Sequence, residues 1–259
     1  MKKTTSTPDR APTRTPDRAP TARPPAPAAD QPVARSDPSA IAAFLDAAAE
    51  APAPVAGEDR ARIVFALDAT MSRQPTWDRA AAWQAEMFQE AARVGGLDVQ
   101  LVYFRGFGEC RASKFVRDAR TLQALMGKID CRGGHTQIGK VLSHTIAESR
   151  NRKVAALVYV GDAMEERVDD LAAAAGTLSL FGTKAFLFQE GRDPSALAAF
   201  EEIARLTKGA HVRFDAAAAE TLKGLLRGVA AYATGGMAAL EALAARDGSA
   251  RALIGAMKS

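Results

Sequence analysis

The chain has 259 residues, of which 47% are apolar and 25% are charged, a balance typical of globular proteins rather than fibrous or disordered ones. Its net charge of +4 belongs to residues 1–36, which carry seven Lys or Arg against three Asp, whereas residues 37–259 carry 27 charges of each sign. A body without a basic excess does not indicate a nucleic-acid partner, and no apolar run reaches the length of about 18 residues that predicts a membrane-spanning helix.

The first 57 residues differ from the rest in composition. Residues 1–36 are rich in Pro and Arg and contain no aromatic residue, so we predict a disordered tail that cannot bury enough apolar surface to offset the entropy of ordering. Over residues 37–57 the pattern predicts a short amphipathic helix followed by a linker. The chain begins without the apolar segment of a signal peptide, and its two cysteines suit a reducing compartment, so we expect a cytoplasmic protein.

From residue 58 to 233, strand and helix patterns alternate, which predicts one α/β domain with a doubly wound sheet. The predicted strands are Ile63–Leu67, Val99–Phe104, a more polar edge strand Glu109–Val116, Val154–Val160, Ala185–Phe188 and His211–Phe214. The predicted helices are Trp77–Val94, Thr121–Ile129, Ile138–Ser149, Val168–Leu180, Ala196–Thr207 and Ala217–Ala231. Residues 234–259 are predicted to form a helical C-terminal tail, which either folds back onto the body or recruits a partner.

Oxygen-bearing side chains follow two of the predicted strands and also occupy one loop before a predicted helix. Ligands of open α/β sheets bind beyond the carboxyl ends of the strands, so these segments are expected to converge. Two carboxylates and three hydroxyls would then provide the hard oxygen ligands that suit Mg²⁺. The residues are Asp68, Thr70 and Ser72 after the first strand, Thr136 in the loop, and Asp162 after the strand Val154–Val160.

In this order of residues, the sequence resembles a von Willebrand factor type A (VWA) domain over residues 60–232. The family's metal-ion-dependent adhesion site (MIDAS) reads Asp-x-Ser-x-Ser, then a loop Thr, then an Asp after a later strand. The resemblance implies that the five residues bind Mg²⁺, with Mn²⁺ as the alternative ion. Two positions depart from the motif, because Thr70 replaces a Ser and Gly161-Asp162-Ala163 replaces Thr-Asp-Gly. The implied fold is a Rossmann-like, mostly parallel six-stranded sheet with helices on both faces and one antiparallel edge strand.

The resemblance also implies a binding protein and not an enzyme, in which an Asp or Glu of a protein partner completes the metal shell. Bacterial members of the family often act beside AAA+ ATPases or within multiprotein assemblies, so we expect a partner of this kind and neither nucleic acid nor a membrane. One alternative is a Mg²⁺-dependent phosphohydrolase of the haloacid dehalogenase type, and another is a scaffold with a vestigial metal site. The phosphohydrolase requires a second Asp two residues after Asp68, where this chain has Thr70.

Three further groups leave alternatives open. Cys110 and Cys131 are either buried free thiols or a redox pair. Glu165 and Glu166 either tune the metal or form the acidic first turn of the next helix. His135, beside Thr136, either contacts a partner or has no role.

Overall fold

The structure, a computed structural model, describes residues 60–71, 96–214 and 219–258. The predicted tail (1–36), the predicted short helix and linker (37–57) and the predicted helix Trp77–Val94 therefore lie outside the described residues. The described strands are β1 (Ala61–Asp68), β2 (Leu97–Arg105), β3 (Glu109–Val116), β4 (Ala156–Gly161), β5 (Lys184–Glu190) and β6 (Ala210–Phe214). The described helices are α1 (Ala119–Met126), α2 (Ile138–Asn151), α3 (Val168–Ser179), α4 (Pro194–Thr207), α5 (Ala219–Ala244) and α6 (Gly248–Lys258).

The six strands form one sheet in the order β3-β2-β1-β4-β5-β6. All neighbouring strands are parallel except β3, which pairs antiparallel with β2 at the edge. This confirms the predicted doubly wound sheet with one antiparallel edge strand. The chain order reverses between β1 and β4, so the switch point at which ligands of such sheets bind lies between the ends of these two strands.

Alternate residues of the central strands enter two separate hydrophobic cores, as expected for strands covered on both faces. In β1, Ile63, Phe65 and Leu67 belong to a core shared with α1, α5 and α6. Val64 and Ala66 belong to a second core shared with α2, α3 and α4. Helices therefore cover both faces, which confirms the predicted layering.

The C-terminal segment is part of the first core. Helix α5 continues to Ala244, past the predicted end at Ala231, and bends at Gly236, whose φ of 67° is in the left-handed region. Leu240 of α5 and Leu253 of α6 are both fully buried in the core. Of the two alternatives for this segment, the structure therefore has the fold-back one. None of the helices within the described ranges is long and apolar enough to cross a membrane.

Candidate functional site

Hydrogen bonds between backbone atoms join three segments at the switch point. The loop between α1 and α2 contacts the end of β1, where the Arg132 amide donates to the Ala69 carbonyl at 2.9 Å. The same loop contacts the turn between β2 and β3, where the His135 amide donates to the Gly106 carbonyl at 3.1 Å. The loop that carries Thr136 is thus held beside the end of the strand that carries Asp68.

Gly134 permits this close approach of the loop to the turn. A Cβ atom at position 134 would collide with the backbone of Gly106, which itself has a φ of 61°. At Gly133, by contrast, a Cβ atom would meet no atom within 4 Å. Close approach therefore requires glycine at position 134, while position 133 has no such constraint.

Asp68 is the least exposed of the predicted site residues that the structure describes. It is the last residue of β1 and is only 2% exposed, because β2 and β4 flank it on both sides. Its Oδ1 accepts a hydrogen bond from the Thr70 amide at 2.7 Å, which turns the chain sharply after the strand. Thr70 is half-buried, and Ser72 lies outside the described residues.

Thr136 and Glu165 form a reciprocal pair that joins the loop between α1 and α2 to the loop after β4. The Thr136 amide donates to the Glu165 Oε2 at 3.1 Å, and the Glu165 amide donates to the Thr136 Oγ1 at 3.0 Å. The same Glu165 carboxylate lies 2.8 Å from the Nδ1 of His135. Thr136 is 7% exposed, so these contacts fix its hydroxyl in a largely buried position.

Asp162 follows β4 directly and is half-buried, three residues before Glu165 in the same loop. The preceding Gly161 has a physical reason for departing from the motif. A Cβ atom at position 161 would lie 2.6 Å from the hydroxyl oxygen of the buried Tyr159. The large side chain at position 159 therefore requires glycine at position 161.

Glu166 has a role that differs from both alternatives considered for it. Its Oε1 accepts from the Ile138 amide at 2.5 Å and its Oε2 from the Gly139 amide at 2.9 Å, so it caps α2 from a different loop. Gln137, at the start of α2, makes no side-chain capping bond. Helix α3 begins only at Val168, and its acidic first turn contains Asp169 and Asp170, so the interpretation of Glu165 and Glu166 as that first turn is wrong.

A buried ion pair that the sequence analysis missed supports the entrance of the Thr136 loop. Arg105, 1% exposed, donates through its Nε to Glu109 at 3.0 Å and through its Nη1 to the Asp130 carbonyl at 2.8 Å. Tyr103 donates its hydroxyl to the other oxygen of Glu109 at 2.7 Å, and burial raises the pKa of Tyr103 well above its usual value. The i, i+4 spacing of Arg105 and Glu109 across a tight turn is the sequence feature that could have indicated this ion pair.

Two large apolar side chains are exposed on the segments that meet here, and we call them the rim of the site. Met71 is 63% exposed and Phe107 is 50% exposed, two of the four large hydrophobic side chains that are exposed in the described ranges. The Phe107 ring packs edge-on against His135, with 4.9 Å between ring centroids. Exposed apolar side chains beside a polar centre are typical of surfaces that contact other proteins.

The two cysteines lie on opposite sides of the sheet. Cys131 is buried in the core with α1, whereas Cys110 packs against the core with α2, and they do not form a disulfide. Burial raises the pKa of the Cys110 thiol to about 11, against the lowering effects of Lys140 and Arg111. These observations favour separate thiols over a redox pair, because the two side chains lie in different cores and the Cys110 thiol is largely protonated at neutral pH.

Within the described ranges, no group of three or more His, Cys, Asp or Glu side chains is placed to hold a metal. The predicted donor set is of another kind, since it combines the Asp68 and Asp162 carboxylates with hydroxyls. Such hard oxygen donors fit a small divalent cation such as Mg²⁺.

Solved structures similar to this chain are VWA-type domains. A von Willebrand factor type A protein from Catenulispora acidiphila matches with a TM-score of 0.55 and 19% identity, over 68% of this chain and 43% of that one. The SpRpn10 VWA domain matches with a TM-score of 0.50 and 13% identity, over 63% of this chain and 95% of that one. Proximal thread matrix protein 1 from the mussel byssus, with a zinc-occupied MIDAS motif, matches with a TM-score of 0.53 and 13% identity, over 66% of this chain and 46% of that one.

These likenesses show that the fold is VWA-like. This chain spans less than half of the Catenulispora and mussel proteins. No protein-family model matches the chain, and no curated protein sequence matches it.

Proposed function

We propose that the chain is a metal-dependent protein-interaction module. In this proposal a Mg²⁺ ion is held by Asp68, Thr70, Ser72, Thr136 and Asp162, and a carboxylate of a protein partner completes its shell. The observation that supports the proposal is a set of hydrogen bonds between segments that carry the predicted ligands. They join the end of β1, which carries the buried Asp68, to the loop that carries Thr136, and join that loop to Glu165 in the loop after β4.

The donor chemistry explains why such a site would bind a partner. Hydroxyl oxygens are neutral ligands, so a shell rich in them leaves a divalent ion short of negative charge and of one ligand. An Asp or Glu side chain from another protein supplies both. When bound, the ion would contribute a fixed positive charge that attracts this carboxylate, while the chain's own residues position it.

The exposed rim supports a protein rather than a small molecule as the ligand. Met71 and Phe107 offer apolar surface that a partner can cover around the polar centre. VWA-fold neighbours also suggest an interaction role. We further propose that the module acts in the cytoplasm of a bacterium, beside an AAA+ ATPase or within a multiprotein assembly.

The chemistry of position 70 argues against the phosphohydrolase. That reaction needs an acid or base two residues after the nucleophilic Asp, and the Thr70 hydroxyl does not titrate in the useful range. We therefore expect no Mg²⁺-dependent hydrolysis of p-nitrophenyl phosphate by the full chain.

Affinity capture with the immobilised full chain tests the proposal. We expect specific proteins to bind in Mg²⁺, to elute with a chelator, and to be absent from an Asp68→Ala column. Glu241→Ala, which removes an exposed carboxylate of α5, is the matched control and should capture the same proteins as the wild type. Capture that neither the chelator nor Asp68→Ala changes would overturn the proposal.

A further inference from the structure

The sheet carries a second concave feature at its amino-terminal end, opposite the candidate metal site. A cavity of about 430 Å³ lies where β1 and β4 begin, next to α5. Four cationic side chains line it, namely Arg60, Arg62, Arg152 and Lys153, and we call it the basic cavity. Its volume falls within the range of about 300–1,000 Å³ that is typical of small-molecule sites.

Among the residues that the structure describes, the carboxylates around the basic cavity are fewer than the cations. Arg60 pairs with Asp98 at 2.8 Å, and Arg117 shares the same carboxylate oxygen at 3.3 Å. Arg62 pairs with Glu148 at 2.6 Å. Two carboxylates therefore serve three guanidinium groups before the remaining cations are counted.

Arg152 and Lys153 add two further positive charges at the mouth of the cavity. Both side chains are exposed, and neither forms an ion pair with a carboxylate in the part of the chain that the structure describes. Arg152 donates one hydrogen bond, from its Nη2 to the Arg60 carbonyl at 3.3 Å, so most of its donors face outward. Counted over the described ranges, the cavity and its immediate surroundings thus hold more cationic than anionic side chains.

The inner cations are fixed in place before any ligand arrives. The Arg62 side chain is 8% exposed, and its guanidinium lies 3.8 Å from the centroid of the Phe115 ring. Its Nη1 also donates to the Arg152 carbonyl at 2.7 Å, which holds the loop after α2 against β1. The inner guanidinium groups therefore contribute positive charge at fixed positions, and the exposed Arg152 and Lys153 are the groups that offer hydrogen-bond donors to a ligand.

We propose that the basic cavity binds a small anion carrying two or more phosphate groups. Guanidinium groups donate paired hydrogen bonds that match phosphate oxygens, and several cations around one cavity favour a multiply charged ligand over a single carboxylate. The volume exceeds that of one phosphate group, and the concave shape suits a compact ligand better than a polymer. This site is separate from the candidate metal site and does not depend on the proposed function.

Calorimetric titration of the full chain with inorganic tripolyphosphate tests the proposal. We expect binding that weakens at least about tenfold in Arg152→Ala/Lys153→Ala, because two charge-assisted donors are lost. The matched control is Lys128→Ala/Arg192→Ala, which removes two exposed cations elsewhere and so has the same net charge as Arg152→Ala/Lys153→Ala. Both variants retain the half-buried Arg60 and the buried Arg62, so we expect both to fold, with melting temperatures like that of the wild type.

Three outcomes separate the proposal from its alternatives. Binding that is lost only in Arg152→Ala/Lys153→Ala supports it. Equal weakening in both double variants would show attraction to net charge alone and would overturn it, as would an absence of binding by the wild type. A parallel sedimentation with phosphatidylglycerol vesicles distinguishes a lipid headgroup from a free ligand, since vesicle binding without tripolyphosphate binding would also contradict the proposal.

Discussion

Glu166 acts on a helix to which it does not belong. Its carboxylate accepts hydrogen bonds from the amides of Ile138 and Gly139, at the start of α2, and supplies negative charge at the positive end of the helix dipole. No side chain next to α2 replaces it, because Gln137 makes no capping bond. The position of the Thr136 loop therefore depends on a residue of the loop after β4.

We expect Glu166→Ala to lower the free energy of unfolding by about 1–3 kcal/mol, since it removes two charge-assisted hydrogen bonds from a helix end. Urea denaturation measures this effect. Glu241→Ala, an exposed carboxylate of α5, should change stability by less than about 0.5 kcal/mol. Similar losses in the two variants would show that Glu166 does not cap α2.

His144 makes the stability of the fold pH-dependent. Burial lowers the pKa of His144 below its usual value of 6.5, although Glu148 acts in the opposite direction. Its Nε2 lies 2.9 Å from the Gln100 Oε1, which can only accept, so the neutral ring carries its proton on Nε2. His144 therefore binds a proton more readily in the unfolded chain than in the folded protein.

The contribution of His144 to the free energy of unfolding should therefore be fully present above about pH 6.5. It should decrease as the pH falls from there toward the pKa of His144 in the folded protein. Burial lowers the pKa of His211 as well, so it adds to the effect in the same direction. Urea denaturation between pH 7.5 and 5.5 should show a shallower decrease for His144→Gln than for the wild type. A decrease of the same steepness in the variant would refute the role of His144.

At the scale of elements, the approach of the Thr136 loop to the turn between β2 and β3 sets the geometry of the site. Gly134→Ala should destabilise the protein by about 1–3 kcal/mol, because its Cβ would collide with the Gly106 backbone. Gly133→Ala introduces the same methyl group one residue earlier, into open space, and should have little effect. Thermal unfolding of both variants decides the matter, and equal melting temperatures would mean that the loop does not need this contact.

The C-terminal helices belong to the core, and this too is testable by a matched pair. Leu253→Ala in α6 should lower the free energy of unfolding by about 2–5 kcal/mol, since Leu253 is fully buried. Leu180→Ala makes the same chemical change at a side chain that is 84% exposed and should be nearly neutral. If denaturation shows no difference between them, α6 does not pack on the body in solution.

The periodicity of apolar residues predicted well the strands and helices whose bounds depend on their own local sequence. The strand Glu109–Val116 has the predicted bounds, and α3 differs from its prediction by one residue. Helix α1 begins and ends earlier than predicted, because Asp118 caps its start and Gly127 its end. The functions of Glu166 and Arg105 were not predictable in this way, since each contacts residues 25 to 28 positions away.

At the scale of the whole molecule, the two ends of one sheet differ in chemistry. The carboxyl ends of β1 and β4 lead to the carboxylates Asp68 and Asp162, whereas their amino ends begin beside Arg60, Arg62 and Lys153. A parallel arrangement brings residues that are far apart in sequence together at each end of the sheet. We propose that a metal ion binds at the carboxyl ends of the strands.

A Mg²⁺ titration followed by thermal unfolding tests that claim most directly. At a Mg²⁺ concentration of about one hundred times the dissociation constant, linkage stabilises the wild type by about 2.7 kcal/mol. Asp68→Asn keeps the shape of the buried side chain but removes its charge, so this variant should show no Mg²⁺-dependent rise in melting temperature. Glu241→Ala, the control, should respond as the wild type does. Equal rises in the wild type and in Asp68→Asn, or no rise in either, would contradict a metal site at Asp68.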